Sequence, residues 1–207
     1  PGSDSGGKGI EIYDTTKYKN LDKLFEEIVN GGYGIIEELI VQSPEIMKIY
    51  PDSVNTVRVV SYRTANNEIK ILWTFLRMGV NGSVVDNMAA GGLAAMIDPE
   101  TGIIYERAKD YKAENYIYHP NTGVKLVGMK LPDWDKLLKL LKEMSLVIPQ
   151  FKLLGWDLAH TKNGWVLVEV NARPHSGTAQ VSSINGRRKQ FEEIEKLYEL
   201  EVGIDEE

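Results

Sequence analysis

The chain has 207 residues, of which 43% are hydrophobic and 26% are charged, a profile typical of one globular domain or two small lobes. It contains no cysteine, which excludes disulfides, zinc–thiolate sites, iron–sulfur clusters and cysteine nucleophiles. With 24 Lys and Arg against 30 Asp and Glu, its net charge of −6 disfavours nucleic-acid binding, since such proteins usually present a basic face. No apolar run approaches the roughly 20 residues of a membrane helix, and the N-terminus does not resemble a signal peptide. We therefore expect a cytoplasmic enzyme or ligand-binding domain.

Strands and a few helices alternate along the chain. After a glycine-rich opening and a strand-like run at 10–13, apolar residues at helical spacing predict a helix over 18–30. A strand that runs into a connector is expected at 33–40. Further along, the pattern predicts a short helix at 44–50, strands at 55–63, 68–80, 93–97 and 103–107, a helix at 134–147, a hairpin of 153–160 with 165–170, and a helix near 187–200. This order predicts an α+β fold with a largely antiparallel sheet and covering helices.

The hairpin near the C-terminus brings acidic residues together. A three-residue loop, Lys162-Asn163-Gly164, places Gly164 where a left-handed backbone is favoured. The expected pairs are then Thr161 with Trp165, Ala159 with Leu167, Asp157 with Glu169, and Gly155 with Asn171. Because side chains alternate along a strand, one face carries Asp157, Glu169, Asn171 and Leu167, and the other carries Trp156, Leu158, Val166, Val168 and Val170. Carboxylates directly opposite each other destabilise a strand pair, so this arrangement indicates a bound cation.

Magnesium is the cation that such donors suit. Two carboxylates and an amide oxygen form a hard-oxygen site, and Mg²⁺ completes its coordination with waters or phosphate oxygens. The alternative is a four-residue loop over 161–164, which moves Glu169 opposite Trp156 and leaves the charges solvated. The local geometry alone leaves both interpretations open.

The glycine-rich opening is not a Walker A loop. Gly2-x-x-x-x-Gly7-Lys8 matches its start, but Gly9 occupies the position of the Mg²⁺-binding Ser or Thr, and a strand-like run follows instead of a helix. A hairpin that folds its amides over phosphates and a flexible terminus are the two remaining interpretations.

Other polar residues in apolar surroundings are candidate ligand contacts. Arg58 and Arg77 lie in apolar strand patterns, where an isolated cation typically protects a sheet edge, whereas two near a metal site suit a polyphosphate. Asn87, followed by Gly91 and Gly92, predicts a loop of small residues that a ligand can approach closely. Three histidines are scattered singly and are expected at surface or loop positions rather than in catalysis: His119, His160 and His175.

The order of these motifs resembles the ATP-grasp superfamily of ATP-dependent carboxylate ligases, in particular its sugar-transfer-associated branch. The phrases that carry the resemblance are Ser53-Val54-Asn55-Thr56-Val57-Arg58, Ser83-Val84-Val85-Asp86-Asn87 with Ala90-Gly91-Gly92, Gly155-Trp156-Asp157, and Val168-Glu169-Val170-Asn171-Ala172-Arg173-Pro174. The similarity runs from Ser5 to about Gln180. The spacing of Asp157 and Glu169-x-Asn171 is close to that of D-alanine–D-alanine ligase.

The resemblance implies two lobes. Residues 1–40 correspond to a small lobe, truncated at its N-terminus, and residues 41–207 to the catalytic lobe with the magnesium site. Ser5, Gly6, Gly7, Lys8 and Gly9 match the loop that closes over the ATP phosphates, and Glu37, Glu38, Leu39 and Ile40 match the connector along the adenine edge. Asn87 with Gly91 and Gly92 is similar to the Asn-x-x-x-Gly-Gly loop of the glutamate-ligase branch, with Asn87 in a catalytic role and the glycines at the nucleotide.

The resemblance also implies the remaining site residues. Asp157, Glu169 and Asn171 match the ligands of one or two Mg²⁺ ions, with Mn²⁺ as a substitute. Arg58 and Arg77 match strand cations at the triphosphate or acyl-phosphate, and Arg173 is similar to the arginine that biotin carboxylase places on its anionic substrate. His175 and Ser176 depart from the family pattern, because relatives tend to have glycine there.

The activity implied is ATP-dependent ligation of a small-molecule carboxylate to a nucleophile through an acyl-phosphate, in polysaccharide or cell-envelope metabolism. The family's phosphate-contacting lysine and N-terminal domain would precede Pro1, so an upstream region of the same protein is an expected partner, with no nucleic acid and no membrane span. The alternatives are a non-catalytic nucleotide- or sugar-binding module of the same fold and a phosphotransferase.

Overall fold

A computed structural model describes residues 11–202, with side chains to residue 196, and these divide into two units between Ile40 and Val41. The first unit contains a short 3-10 turn, Thr15–Lys17, and helix α1, Leu21–Asn30. The side-chain oxygen of Asn20 caps α1 by accepting hydrogen bonds from the backbone N–H groups of Asp22 and Lys23 at 3.0 and 3.2 Å.

The strand predicted at 33–40 is absent from this unit. Residues 33–40 have no regular secondary structure, and they join no strand within residues 11–202. A strand pattern becomes a strand only where a partner satisfies its backbone hydrogen bonds, and no described segment supplies that partner.

The second unit is built on a seven-stranded antiparallel sheet of order β5-β4-β3-β2-β1-β6-β7. Its strands are β1 (Val57–Arg63), β2 (Ile69–Met78), β3 (Leu93–Ile97), β4 (Ala108–Lys109), β5 (Asn115–Tyr116), β6 (Leu153–Thr161) and β7 (Gly164–Asn171). Its helices are α2 (Pro44–Met47), α3 (Trp134–Val147), α4 (Gly177–Ser182) and α5 (Arg188–Val202), with a 3-10 turn at Met88–Ala90. The α+β fold is therefore confirmed. No helix within residues 11–202 combines the length and apolar character needed to cross a membrane.

One predicted strand, 103–107, is wrong. Ile104 forms an isolated bridge with Ile97, whereas its neighbour Ile103 forms one with Lys130. Because the two residues pair with different segments, no continuous ladder develops, and β3 pairs with β4 only at Lys109, which lies opposite Ala94.

Hydrophobic residues pack on both faces of the sheet. On one face, α3 contributes Leu137 and Leu141 to a large core that includes Trp156 of β6. On the other face, a smaller cluster contains Phe75 of β2 and Ala179 of α4. Since side chains alternate, the second face also receives three charged residues: Arg58, Arg77 and Asp157.

The β6–β7 hairpin forms the predicted acidic pair, but with a different loop and a β-bulge. Thr161 pairs with Gly164, so the loop has two residues instead of three, although Gly164 has the expected positive φ of 106°. Asp157 nevertheless pairs with Glu169, because β7 carries one additional residue, Val168, in a β-bulge.

The bulge also changes which residues share a face nearer the loop. Ala159 pairs with Val166, and Leu158 pairs with Leu167. Leu167 therefore lies on the α3 face and Val166 on the acidic face, the reverse of the prediction. The loop is one residue shorter than expected and the bulge adds one residue, so the two differences cancel beyond Val168.

Candidate functional site

The candidate site lies on a row of residues that crosses the sheet. Glu169 pairs with Asp157, Asp157 with Arg58, Arg58 with Phe75, and Phe75 with Met96. Neighbouring strands are about 4.8 Å apart, so the charged members of this row are adjacent at its β7 end. The register thus brings together three of the predicted site residues, Arg58 from β1 and Asp157 and Glu169 from the β6–β7 hairpin.

Asp157 is held by two arginines. Its side chain is only 2% exposed. Oδ1 accepts a hydrogen bond from Nε of Arg58, and Oδ2 accepts one from Nη2 of Arg58 at 2.7 Å. Nη2 of Arg77 lies 3.1 Å from the same Oδ2. Burial lowers the pKa of the Arg58 guanidinium, but the hydrogen bonds and charge of Asp157 outweigh this, so the pKa is raised overall and Arg58 stays cationic.

A buried carboxylate holds Arg77 from the other side. Asp86 accepts hydrogen bonds from the backbone N–H and the hydroxyl of Thr56. The Thr56 oxygen accepts in turn from Nε and Nη2 of Arg77 at 2.9 and 2.7 Å, and Nε of Arg77 lies 3.6 Å from Asp86. Sequence reasoning missed Asp86 and Thr56, although both stand in the motifs quoted for the resemblance. An acid directly before Asn87 was the available signal.

Glu169 and Asn171 lie on the edge strand, next to this arginine cluster. Glu169 is exposed, and Asn171 is half-buried with an amide nitrogen that has no partner among the described residues. Asn171 pairs with Gly155, where a Cβ atom would approach Cβ of Pro174 to 2.7 Å. A side chain at Gly155 would therefore displace the segment that follows the edge strand.

The donor set fits a magnesium ion. Among residues 11–196, no three His, Cys, Asp or Glu side chains form a metal-binding group, so the amide of Asn171 must join the two carboxylates. Oδ2 of Asp157 already accepts from both arginines, while Oδ1 accepts only from Arg58 and retains one lone pair. That oxygen, the exposed carboxylate of Glu169 and the Asn171 amide supply the hard oxygen ligands that Mg²⁺ prefers.

The glycine loop before β3 is shaped by backbone packing. Asn87 accepts a hydrogen bond from the Ala89 backbone N–H at 2.9 Å and so caps the 3-10 turn. Gly91 has φ of 98°, which favours glycine. At Gly92, a Cβ atom would lie 2.7 Å from the Asp86 carbonyl oxygen. These contacts explain both glycines structurally, and they connect the loop to Asp86.

The other predicted site residues lie apart from this cluster. Ser5, Gly6, Gly7, Lys8 and Gly9 fall outside the described residues. Glu37, Glu38 and Leu39 are exposed and Ile40 is half-buried, all in the irregular end of the first unit. Arg173 is exposed, and it has no ion pair or hydrogen bond to any described side chain.

The expectation of a surface or loop position is wrong for His160, which is buried within β6, whereas His119 lies in a loop as expected but is buried there. His119 is 1% exposed and His160 is 5% exposed, whereas His175 is exposed. Nε2 of His119 is 2.9 Å from the Gly79 carbonyl oxygen. Burial lowers the pKa of His119, and the Gly79 contact only partly opposes this. Because the partners come from distant segments, the local sequence carries no sign of them.

Two facing carboxylates, an amide and two strand arginines on one face of an antiparallel α+β sheet are the features expected of an ATP-grasp domain. The family model described as sugar-transfer associated ATP-grasp matches residues 3–196. The chain therefore belongs to this family, and the resemblance noted in its motifs is confirmed. No curated protein matches the chain. Membership supports ATP binding and an ATP-dependent activity of the ligase type.

Proposed function

We propose that the protein is an ATP- and Mg²⁺-dependent carboxylate ligase that forms an acyl-phosphate and then an amide-type bond. The observation that carries the proposal is the register that sets Glu169 beside Asp157 and Asp157 beside Arg58. Two opposed carboxylates destabilise a strand pair unless cations neutralise both. Arg58 and Arg77 neutralise Asp157, which leaves the exposed carboxylate of Glu169 for Mg²⁺.

The acidic residues have the metal-binding role in this proposal. Glu169, Asn171 and the Oδ1 atom of Asp157 hold Mg²⁺, which when bound neutralises charge on the phosphate oxygens. Arg58 orients Asp157 through its two hydrogen bonds, so the carboxylate is fixed before the ligand arrives. Fixed charges of this kind need no reorganisation as negative charge develops.

Arg58 and Arg77 stabilise the transferring phosphoryl group. In the first step, an oxygen of the substrate carboxylate attacks the γ-phosphorus, the bond to the β–γ bridging oxygen breaks, and ADP leaves. In the second step, an amine attacks the acyl carbon of the acyl-phosphate, inorganic phosphate leaves, and the amine loses a proton. The protein contributes positioning and charge stabilisation and no covalent nucleophile.

The remaining predicted residues complete the proposal. Gly91 and Gly92, before β3, allow close approach of the nucleotide. Asn87 assists the reaction, and Arg173, which is exposed and free of ion pairs among the described residues, binds the anionic substrate. The acceptor is a small-molecule nucleophile of polysaccharide or cell-envelope metabolism.

Hydroxylamine trapping tests this function. The protein is incubated with Mg²⁺-ATP, hydroxylamine and a panel of carboxylates, and both ADP and products are measured. A hydroxamate supports the acyl-phosphate. A stable phosphorylated product would instead show a phosphotransferase, and nucleotide binding without ADP release would show a binding module.

Glu169→Gln supplies the residue-level test. We expect ADP release to fall about hundredfold or more, because one metal ligand and its charge are lost. Since Glu169 is exposed, the free energy of unfolding should stay near that of the wild type. Glu143→Gln on α3 is a matched control, because its side chain is 64% exposed and makes only a surface ion pair. Wild-type turnover in Glu169→Gln would remove the proposed metal site.

A further inference from the structure

Arg187 is a buried cation in the turn between α4 and α5. Only 8% of the residue is exposed. Its backbone N–H donates to the side-chain oxygen of Gln180 at 2.8 Å, and its Nη2 atom donates to the Tyr105 hydroxyl at 3.0 Å. Gly186, directly before it, has φ of 65°, so a left-handed backbone conformation sets the turn.

No carboxylate within residues 11–196 pairs with Arg187. Its Nε atom is buried and has no hydrogen-bond partner in the part of the chain that the structure describes. Glu106 stands in the same region, but its carboxylate accepts from the backbone N–H of Ile184 at 3.0 Å. A buried charge without a counter-charge is costly. Arg58, by contrast, has a side chain that is 11% exposed and pairs with Asp157, so Arg187 lacks the kind of partner that this part-buried cation has.

Arg187 lies on the same face of the sheet as the candidate site. The backbone N–H of Tyr105 donates to the Met96 carbonyl at 3.2 Å, which places Tyr105 at the far end of the row that begins at Glu169. Three strand spacings, about 14 Å, therefore separate the backbone of Tyr105 from that of Arg58. Ala179 of α4 packs in the cluster on this face.

We propose that Arg187 and the Tyr105 hydroxyl bind a second anionic group of the substrate, one that is not activated by ATP. The inference rests on the proposed function, because the second anionic group is defined relative to the carboxylate that the proposed site activates. It defines the substrate class as a molecule with an acid at the reacting end and a second oxyanion away from it.

The chemistry of the site suits a carboxylate or a phosphate monoester. Both accept parallel hydrogen bonds from a guanidinium, and the hydroxyl of Tyr105, whose residue is 45% exposed, is available beside it. A ligand of this kind supplies the missing negative charge. Neutralising a buried cation gives the site its selectivity for anionic over neutral substrates.

A comparison of Arg187→Gln with Arg188→Gln tests the proposal in the full chain. Arg188 is a matched control, because its side chain is 89% exposed and pairs only with Glu192. Thermal unfolding is followed during millimolar titrations with glutarate and, separately, glycerol 3-phosphate, in the presence of Mg²⁺-ATP. We expect anion-dependent stabilisation in the wild type and Arg188→Gln, and an affinity about tenfold or more lower in Arg187→Gln.

The two anions distinguish the sources of the oxyanion. A response to glutarate alone assigns a second carboxylate, and a response to glycerol 3-phosphate alone assigns a phosphorylated substrate. Tyr105→Phe should weaken the response less than Arg187→Gln does, because it removes one neutral hydrogen-bond partner and leaves the charge.

Stability without ligand separates binding from a purely structural role. An unpaired buried charge destabilises the free protein, so Arg187→Gln without anion should unfold at the wild-type temperature or higher. A lower unfolding temperature together with an unchanged anion response would overturn the proposal, as would the lack of any response in the wild type. Nucleotide affinity and Mg²⁺-ATP turnover are measured in the same variants. If the anion response fails while turnover is intact, this inference is wrong and the proposed function still holds.

Discussion

The two faces of the sheet hold side chains of opposite character, although these side chains come from neighbouring residues of the same strand. Trp156 and Asp157 are consecutive in β6, yet Trp156 packs in the hydrocarbon core under α3 while Asp157 contacts two arginines. Strand alternation therefore sends adjacent residues into environments with opposite needs. The α3 face stabilises the unit through apolar burial. The charged face lowers the free energy of unfolding, because it holds polar groups that are arranged for a ligand.

Asp157→Asn should have the largest effect, because Asp157 pairs with two arginines and is also a proposed metal ligand. We expect the free energy of unfolding to fall by about 3–5 kcal/mol, since Arg58 and Arg77 would lose their shared carboxylate while they stay buried. Urea unfolding measures the change. Glu169→Gln is the control, because its free energy of unfolding should stay near that of the wild type. Equal stability of the two variants would show that the ion pairs of Asp157 contribute little to folding.

Leu137→Ala examines the opposite face. The side chain is fully buried in the α3 core, so its truncation should cost about 2–5 kcal/mol of the free energy of unfolding. ADP release per folded molecule should stay unchanged at a temperature where both proteins are folded. A large loss of turnover without a loss of stability would break the separation between the faces.

Thr56→Val removes the hydroxyl that joins Asp86 to Arg77 on the charged face. We expect kcat to fall about tenfold because Arg77 loses the oxygen that holds its Nε and Nη2 atoms. Thr56→Ser keeps that oxygen and should restore kcat. Steady-state measurements that separate kcat from KM check the effect, and a kcat within about twofold of the wild type would argue against a positioning role.

His119 should make the smallest contribution, through pH. Its pKa is lowered in the folded state by burial, so the unfolded chain binds more protons below its own pKa of about 6.5. The free energy of unfolding therefore falls as the pH drops through that value and recovers as the pH rises. The urea midpoint should depend less steeply on pH in His119→Gln than in the wild type. His175→Gln, at an exposed position, should leave the wild-type slope unchanged.

The hairpin shows how far sequence reasoning reaches and where it stops. A glycine at position 164 fits both a two-residue and a three-residue loop, so the turn alone does not set the register. The pairing of Asp157 with Glu169 holds because a bulge at Val168 offsets the shorter loop. By contrast, α3 was predicted over its whole length, since its apolar periodicity persists for 14 residues.

More generally, contacts between residues far apart in the chain could not be predicted from local sequence patterns. His119 and His160 are buried because Gly79, Ser43 and Asp133 reach them from distant segments. Asp86 and Thr56 were likewise missed as a pair, because 30 residues separate them. A pattern within one window describes a residue's own strand or helix, and it does not reveal what the fold places opposite.

Local order in the chain, with its apolar spacing and family motifs, was enough to establish the α+β class and the family, and to select the acidic and amide residues of the last hairpin as candidate ligands. Folding decided which of those groups are free. It paired both oxygens of Asp157 with arginines but left one lone pair on Oδ1, left Glu169 exposed, and buried Arg187 without a counter-charge among the described residues. Charge pairing depends on three-dimensional proximity, and residues as far apart as Arg58 and Asp157 meet only when the sheet forms.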